Sequence, residues 1–247
     1  MIFSSKYDQD EHFKNIEHLY KLCLSDNDNF EYLVNLIIIQ LVITLEVYIE
    51  RLSRPFSDEC SNLKAYTLPT RVRIEHSRKI LNSLNKKIDL NHGEHYRDCE
   101  KLFLDISNIW GNKNHKIKLN YSLKFSSGKH GDKEIEKIFE RIGIDNIFSR
   151  IEIVQNSPTL LDDEQFLNVR LFIQELVNHR NLAIHQGVNL SDRFSIENIK
   201  EKIDTLKDIF IQINFILDNH LISIKGTSLD EVKGNSQLVY QRALSVL

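Results

Sequence analysis

Residues that reverse or interrupt a chain are scarce in this sequence, which has eight Gly and three Pro among 247 residues. All-β sandwiches and barrels need a turn signal about every 8–12 residues, so this composition argues against them. Cysteine is scarce as well, because only Cys23, Cys60 and Cys99 occur and none forms a CxxC pair. Such spacing argues against a disulfide framework and a structural zinc site. We therefore expect a mostly helical protein in a reducing compartment.

Charge of one sign is also lacking, since 32 Lys and Arg stand against 35 Asp and Glu, a formal net charge of −3. A whole-chain positive field, typical of nucleic-acid-binding proteins, is therefore absent. No export signal is visible in the first residues. The longest uncharged run, 14 residues between Glu31 and Glu46, includes Asn35 and Gln40 and is shorter than the roughly 18 residues of a membrane span. We expect a cytoplasmic protein without a membrane partner.

Apolar residues recur at helical spacing along most of the chain. This periodicity predicts helices over about 9–24, from Asp26 or Asp28 to Leu52, 70–84, 92–110, 132–142, 163–185 and 195–222. A loop is predicted between Pro55 and Pro69, because proline cannot continue a helix. Residues 117–125 alternate apolar and polar side chains and carry the one clear strand signal. The expected fold class is all-α, a helical bundle with a small β or extended element near 117–125.

We interpret residues 1–247 as a single helical domain with three additions. These are an N-terminal helical extension over 1–28, an inserted basic loop or strand over 111–131, and a C-terminal tail over 224–247. The sequence shows no internal repeat and no low-complexity tract that would suggest further division.

The most informative segment for chemistry is 175–187, which places an Arg, two Asn and two His between apolar residues. A buried guanidinium costs several kcal/mol unless it is partnered, so Arg180 requires an internal carboxylate or a ligand anion. Gly187 predicts that the helix ends near His185. Arg180 and His185 lie about 140° apart on an ideal helix and do not share a face. They converge only if the helix unwinds there or if two copies of it meet.

The segment Arg180–His185 resembles the RxxxxH signature of the HEPN superfamily, including the polar Asn181 directly after the arginine. An early apolar helix carrying Glu46 is similar too, and residues 138–144 resemble the RiboL-PSP and MAE-type HEPN branches. The resemblance spans about residues 30–222. It implies a helical bundle that dimerises through the motif helices and, in active members, cuts RNA without a metal, often as a toxin or phage-defence effector. Some members are non-catalytic.

RNA carries its own nucleophile, so its cleavage needs a base, an acid and positive charge on the phosphorane. His185 supplies a titratable group and Arg180 a permanent charge, while Asn181 can orient either the phosphate or the imidazole. These three are the catalytic candidates. Glu46 and His179 are candidate orienting residues, and we expect Glu46 to contact Arg180. In the alternative interpretation Arg180 forms only an internal ion pair and His185 only caps the helix.

Two basic segments are candidate contacts for the RNA backbone. Lys64–Lys87 contains seven Lys or Arg and one acid, and Lys113–Lys129 contains five Lys and no acid. The alternative is an ordinary solvated surface. The predicted RNA-binding residues are Arg71, Arg73, Arg78, Lys79, Lys116 and Lys118.

We find no metal-ligand pattern, because His92 and His95 are three apart and do not form HExxH. No cofactor is implied. The sequence thus predicts a cytoplasmic, metal-independent endoribonuclease that dimerises through the Arg180–His185 helix, acts on RNA and has a cognate antitoxin or defence partner. The alternative is a non-catalytic module that binds RNA, a nucleotide or a protein through the same cleft.

Overall fold

A computed structural model describes residue 3 and residues 9–25, 28–61, 63–89, 96–111, 114, 116, 118–119, 124–125, 131–155 and 165–226. The α-helices in these residues are α1 (Gln9–Ser25), α2 (Phe30–Arg51), α3 (Ser53–Cys60), α4 (Thr70–Asp89), α5 (Tyr96–Gly111), α6 (Asp132–Arg141), α7 (Val169–Gln186) and α8 (Ile196–Gly226). Short 3-10 helices cover Ala65–Thr67 and Ile147–Arg150. The strands β1 (Val154–Gln155) and β2 (Gln165–Phe166) form one antiparallel pair. The expected all-α class is confirmed.

The chain divides into two compact units. The first unit comprises residues 1–52, 123–139 and 145–218, and the second comprises 53–122, 140–144 and 219–247. The single helical domain with three additions stays a prediction. The division into units matters for function because Glu46 and the 175–187 segment both belong to the first unit.

The core of the first unit forms around α2, which packs against α1 and α7. Apolar residues lie on several faces of α2, so the helix buries side chains against more than one neighbour. At its C-terminal end, the Tyr48 ring stacks on Phe210 with ring centroids 3.6 Å apart. The Tyr48 hydroxyl donates a hydrogen bond to Asn214 Oδ1 at 2.7 Å, which satisfies its polar group inside the core.

The second unit has its own core and its own polar contacts. Trp110 on α5 donates from Nε1 to Ser77 Oγ at 2.9 Å, which connects α5 to α4. Gly143 adopts φ +89°, and a Cβ at this position would lie 2.9 Å from Pro69 Cβ. Both the backbone conformation and the close approach therefore require glycine there.

The segment Phe30–Cys60 is long and apolar enough to cross a membrane by length and composition alone. In the structure, 56% of its most apolar window is buried inside the protein. A buried core helix has the same composition, so this segment is weak support for a membrane span.

Three local predictions need correction or completion. The stretch between Pro55 and Pro69 is not a loop throughout, because α3 contains Pro55 in its first turn. Backbone N–H groups in the first turn have no acceptor within the helix, so a proline there removes no helical hydrogen bond. The helix predicted from about residue 163 begins at Val169, because the Asn168 side chain accepts a hydrogen bond from the Leu171 N–H at 3.0 Å and caps it.

The third local prediction concerns the extended element expected near 117–125. Lys116 forms an isolated antiparallel bridge with Lys64. Residues 118–119 and 124–125 carry no regular strand, while 117 and 120–123 lie outside the described residues. The observed strands, β1 and β2, lie in a region where the sequence analysis predicted none.

Candidate functional site around Arg180

Arg180 lies near the C-terminal end of α7 and faces α2. Its Nη2 donates to Glu46 Oε1 at 3.3 Å, and its Nη1 donates to Asn181 Oδ1 at 3.0 Å. The contact between Arg180 and Glu46 that the sequence analysis expected is therefore present. Asn181 holds the guanidinium from the neighbouring position on the same helix, so two side chains orient the planar group.

The ion pair is mostly removed from water, since the Arg180 side chain is 15% exposed and the Glu46 side chain 18% exposed. Arg180 Nε is buried and has no hydrogen-bond partner among the described residues. Arginine carries five N–H donors, and the two contacts above leave part of that capacity unused. The unused N–H groups can donate to the oxygens of a ligand anion that reaches the guanidinium.

Asn35 fixes the chain that follows α7. Its Nδ2 donates to the Val188 carbonyl at 3.2 Å, and its Oδ1 accepts from the Leu190 N–H at 3.0 Å. Asn35 and Glu46 are eleven residues apart on α2, or about 16 Å along its axis and on nearly the same face. The contacts of Asn35 and the contact of Glu46 with Arg180 therefore set the register of α2 against α7 at both ends of the site.

The sequence analysis did not give Asn35 a role. A signal was available, because Asn35 is one of few polar residues in the apolar run of α2. A polar side chain at such a position needs hydrogen-bond partners, but the sequence does not say which backbone groups supply them.

The end of α7 is set by Gly187, which adopts φ +61°. The N–H groups of Gly187 and Val188 both donate hydrogen bonds to the Leu182 carbonyl. His185 lies in the last turn, where the helix dipole favours a cation, and its side chain is exposed. The structure does not bring His185 into contact with Arg180: among the described residues, the His185 side chain makes no hydrogen bond or ion pair.

His179 faces a different neighbour from Arg180. Its ring packs edge-on against Phe194, with centroids 4.9 Å apart. Burial lowers the pKa of His179, and the charges of Lys202 and Arg193 lower it further. Burial and these charges therefore favour the neutral ring, and its contacts are with Phe194 rather than with the Arg180 guanidinium.

The six predicted RNA-binding residues all belong to the second unit. Arg71 forms an ion pair with Glu140 at 3.6 Å, and Arg78 forms one with Glu75 at 2.5 Å. The Arg73 guanidinium lies over the Trp110 ring, 4.9 Å from its centroid, and burial lowers its pKa. Of the rest, Lys79 is partly buried, and Lys116 and Lys118 are exposed. RNA contact by these residues remains a prediction.

The described residues contain no group of three or more His, Cys, Asp or Glu side chains placed to hold a metal ion. Arg180 is grouped instead with a carboxylate, that of Glu46, and an amide, that of Asn181. Such a set suits the recognition of an anion.

Comparison with known proteins places the chain in a family. The family model RiboL-PSP-HEPN matches residues 9–219, which includes α2, α7 and both partners of the Arg180–Glu46 ion pair. No curated protein and no solved structure shows a significant match to the chain.

Proposed function

The chain belongs to the RiboL-PSP-HEPN family, and on that premise we propose that it is a metal-independent endoribonuclease whose cleavage site is built around Arg180. The observation that carries the proposal is the largely buried guanidinium held by Glu46 and Asn181, five residues before the exposed His185 on the same helix. A guanidinium fixed in this way is suited to the non-bridging oxygens of a phosphate.

In the proposed reaction His185 takes the proton of the RNA 2′-hydroxyl, and the 2′-oxygen attacks the adjacent phosphorus. Arg180 stabilises the negative charge that develops on the phosphorane oxygens. The 5′-oxygen leaves with a proton from a general acid. The products are a 2′,3′-cyclic phosphate and a 5′-hydroxyl, and no step requires a metal-activated water.

A second copy of the chain supplies the geometry that one α7 lacks, because Arg180 and His185 are about 140° apart around one helix. We propose that two α7 helices meet across a twofold axis, so that one copy places His185 near Arg180 of the other. Exposed apolar residues beside the site support this, since Ile184 is 49% exposed and Ile43 on α2 is 39% exposed.

The test is cleavage of a labelled RNA in the presence of EDTA. His185→Ala and Arg180→Gln are each expected to reduce the rate by about 100-fold or more. His18→Ala, which removes an exposed histidine on α1, serves as the matched control and should cut like the parent. Folded His185→Ala and Arg180→Gln proteins that cut at the parental rate would contradict the mechanism.

A non-catalytic module is the second candidate, and the Arg180–Glu46 contact favours it because the guanidinium already has a carboxylate partner. Such a module would bind RNA, a nucleotide or a protein without turnover. Binding of RNA by the parent, with no cleavage product across varied substrates, would select this alternative over the nuclease.

For the cell we propose a cytoplasmic toxin or defence effector that is restrained by a cognate antitoxin or defence partner. Induced expression in a bacterial host should then arrest growth, and Arg180→Gln should relieve the arrest at equal protein level. Growth arrest that persists with the folded Arg180→Gln protein would count against this role.

A further inference from the structure

An exposed apolar patch lies on α4 and α5 in the second unit. This α4–α5 patch consists of Ile74 and Leu81 on α4 and of Phe103 and Trp110 on α5, and each of the four residues is between 41% and 56% exposed. Single exposed apolar residues are ordinary on a protein surface, whereas a group of them marks an interaction site. The proposed nuclease reaction uses none of the four.

The four residues lie on one side of the helix pair. Ile74 and Leu81 are seven residues apart, as are Phe103 and Trp110, so each pair lies on one face of its helix, about 10 Å apart along the axis. Trp110 Nε1 donates to Ser77 Oγ, and Ser77 lies between Ile74 and Leu81 on the same side of α4. The Trp110 contact therefore brings the two apolar pairs to one surface.

The two helices run antiparallel, because Trp110 contacts Ser77 while Asp98 forms an ion pair with Lys87. The patch is therefore a strip two helical turns long, bordered by two apolar side chains on each helix. An amphipathic helix binds such a strip through apolar residues at positions i, i+3 or i+4, and i+7. Its first and last anchors are separated by the same seven residues as the apolar pairs of α4 and α5.

Arg73 lies at the Trp110 end of the patch and has no acidic partner. Its guanidinium lies over the Trp110 ring, and its Nη2 donates to Thr70 Oγ1 at 3.2 Å. Its Nε is buried without a hydrogen-bond partner, and Arg73 forms no ion pair within the described part of the chain. Burial lowers the pKa of Arg73, and no carboxylate opposes the change. A partly desolvated guanidinium of this kind is stabilised by a carboxylate.

The charges of the two helices leave Arg73 uncompensated. α4 carries six Lys or Arg and two acids, and α5 carries two Lys or Arg and three acids. Two of these acids form ion pairs with Arg78 and Lys87. The exposed Glu100 lies at the end of the patch away from Trp110. None of the five acids forms an ion pair with Arg73, so a ligand that supplies negative charge at the Trp110 end is favoured.

We propose that the α4–α5 patch is the docking surface for an amphipathic helix of a partner protein, which packs apolar residues on the patch and places an aspartate or glutamate beside Arg73. Tryptophan and arginine are enriched among the residues that contribute most to binding between proteins. Ile74 and Leu81 favour a protein over RNA, because aliphatic side chains offer no ring on which a base stacks. A second copy of the chain would bring the same positive charge, which opposes pairing of two patches.

The test begins with selection of binders from a displayed library of helical peptides, with the full chain as the target. We expect the selected peptides to carry apolar residues at i, i+3 or i+4, and i+7, together with an acidic residue near one end. Arg73→Gln, Leu81→Ser and Phe103→Ser should each weaken binding of a selected peptide by about tenfold. Leu24→Ser is the matched control, because Leu24 on α1 is exposed to nearly the same degree as Phe103, and it should change affinity by less than about twofold.

A second form of the peptide, with glutamine in place of its acidic residue, isolates the contact with Arg73. It should bind the parent about tenfold more weakly than the acidic form, whereas Arg73→Gln should bind the two forms equally. Leu81 and Phe103 are exposed, so their variants keep the test valid if Arg73→Gln lowers the thermal midpoint.

Several results would overturn the proposal. These are selection of no helical peptide, selected peptides without an acidic residue, and equal peptide affinities for the parent, Leu81→Ser and Arg73→Gln. Binding of a 2′-O-methyl decaribonucleotide that requires both Leu81 and Arg73 would instead assign the patch to RNA. A dimer that Leu81→Ser dissociates in analytical ultracentrifugation would assign it to a second copy. Peptide binding that requires Leu81 and Arg73, by a protein that cuts no RNA, would leave this proposal standing and reject the nuclease.

Discussion

Removing Glu46 isolates the contact on which the candidate site depends. In Glu46→Ala the Arg180 guanidinium loses its carboxylate, while the other residues around a side chain that is 15% exposed in the parent stay in place. A charge left without its partner in such surroundings destabilises the fold. We therefore expect Glu46→Ala to lower the free energy of unfolding.

The structure sets the size of the effect. A hydrogen bond to a charged group contributes about 1.5–3 kcal/mol, and breaking a fully buried ion pair costs about 3–5 kcal/mol. The Nη2–Oε1 distance of 3.3 Å is long, and neither side chain is fully buried. We expect a loss of about 2 kcal/mol, or a fall in melting temperature of about 4–8 °C for a chain of this size.

A double-mutant cycle measures the pair itself. Glu46→Ala and Arg180→Ala should each cost about 2 kcal/mol, and the double variant should cost about the same, because it leaves no unpaired charge. Unfolding in urea, followed by circular dichroism, gives the three values. Glu31→Gln, an exposed carboxylate in the first turn of α2, is the matched control and should change stability by less than about 0.5 kcal/mol.

The outcome that refutes this reasoning is an interaction energy below about 0.5 kcal/mol, which is the value expected of independent sites. Glu46 and Arg180 would then act separately, and Glu46 would have no part in orienting the guanidinium. A large interaction energy together with unchanged RNA cleavage by Arg180→Gln would assign the pair to stability alone.

Two further predictions concern pH and backbone conformation. Burial lowers the pKa of His76 and of His179. The unfolded chain therefore takes up protons that the folded chain does not, and thermal melts should show stability falling between about pH 7 and pH 5 by up to about 1 kcal/mol per pH unit for each histidine. His76→Gln should flatten this profile, and a flat profile in the parent would contradict the prediction. Gly143 and Gly187 both have positive φ, but a Cβ would meet Pro69 only at Gly143. Urea unfolding should show Gly143→Ala losing more stability than Gly187→Ala, which should lose about 1 kcal/mol, and equal losses would count against the close contact.

Helices with a sustained apolar face were predictable from the sequence. The predictions for α1, α2 and α8 agree with the observed helices to within a few residues, because side-chain spacing alone determines which positions can face a core. The prediction between Pro55 and Pro69 failed because the position of a proline within a helix, rather than its presence, decides whether a helix forms. The start of α7 depends on the Asn168 cap, and many residues of the preceding segment are equally capable of capping.

The candidate site was predictable only in part. Arg180, Asn181 and His185 were found because they are close in sequence, and local spacing places them on one helix. Asn35 was missed because its partners, the Val188 carbonyl and the Leu190 N–H, come from another segment. A single sequence does not say which distant segments pack together.

The sequence by itself determined that this protein is helical, that it lacks a whole-chain positive field, and that an Arg, an Asn and a His occur at the end of one helix. These properties follow from composition and from spacing along one chain segment. Only the tertiary structure decided that Arg180 lies on Glu46, that Asn35 fixes the chain after α7, and that the Lys202 ammonium has aromatic rings as its neighbours. Each of these contacts joins residues distant in sequence or on different elements. They arise from the packing of α2, α7 and α8, which buries apolar faces and brings the polar groups between them together.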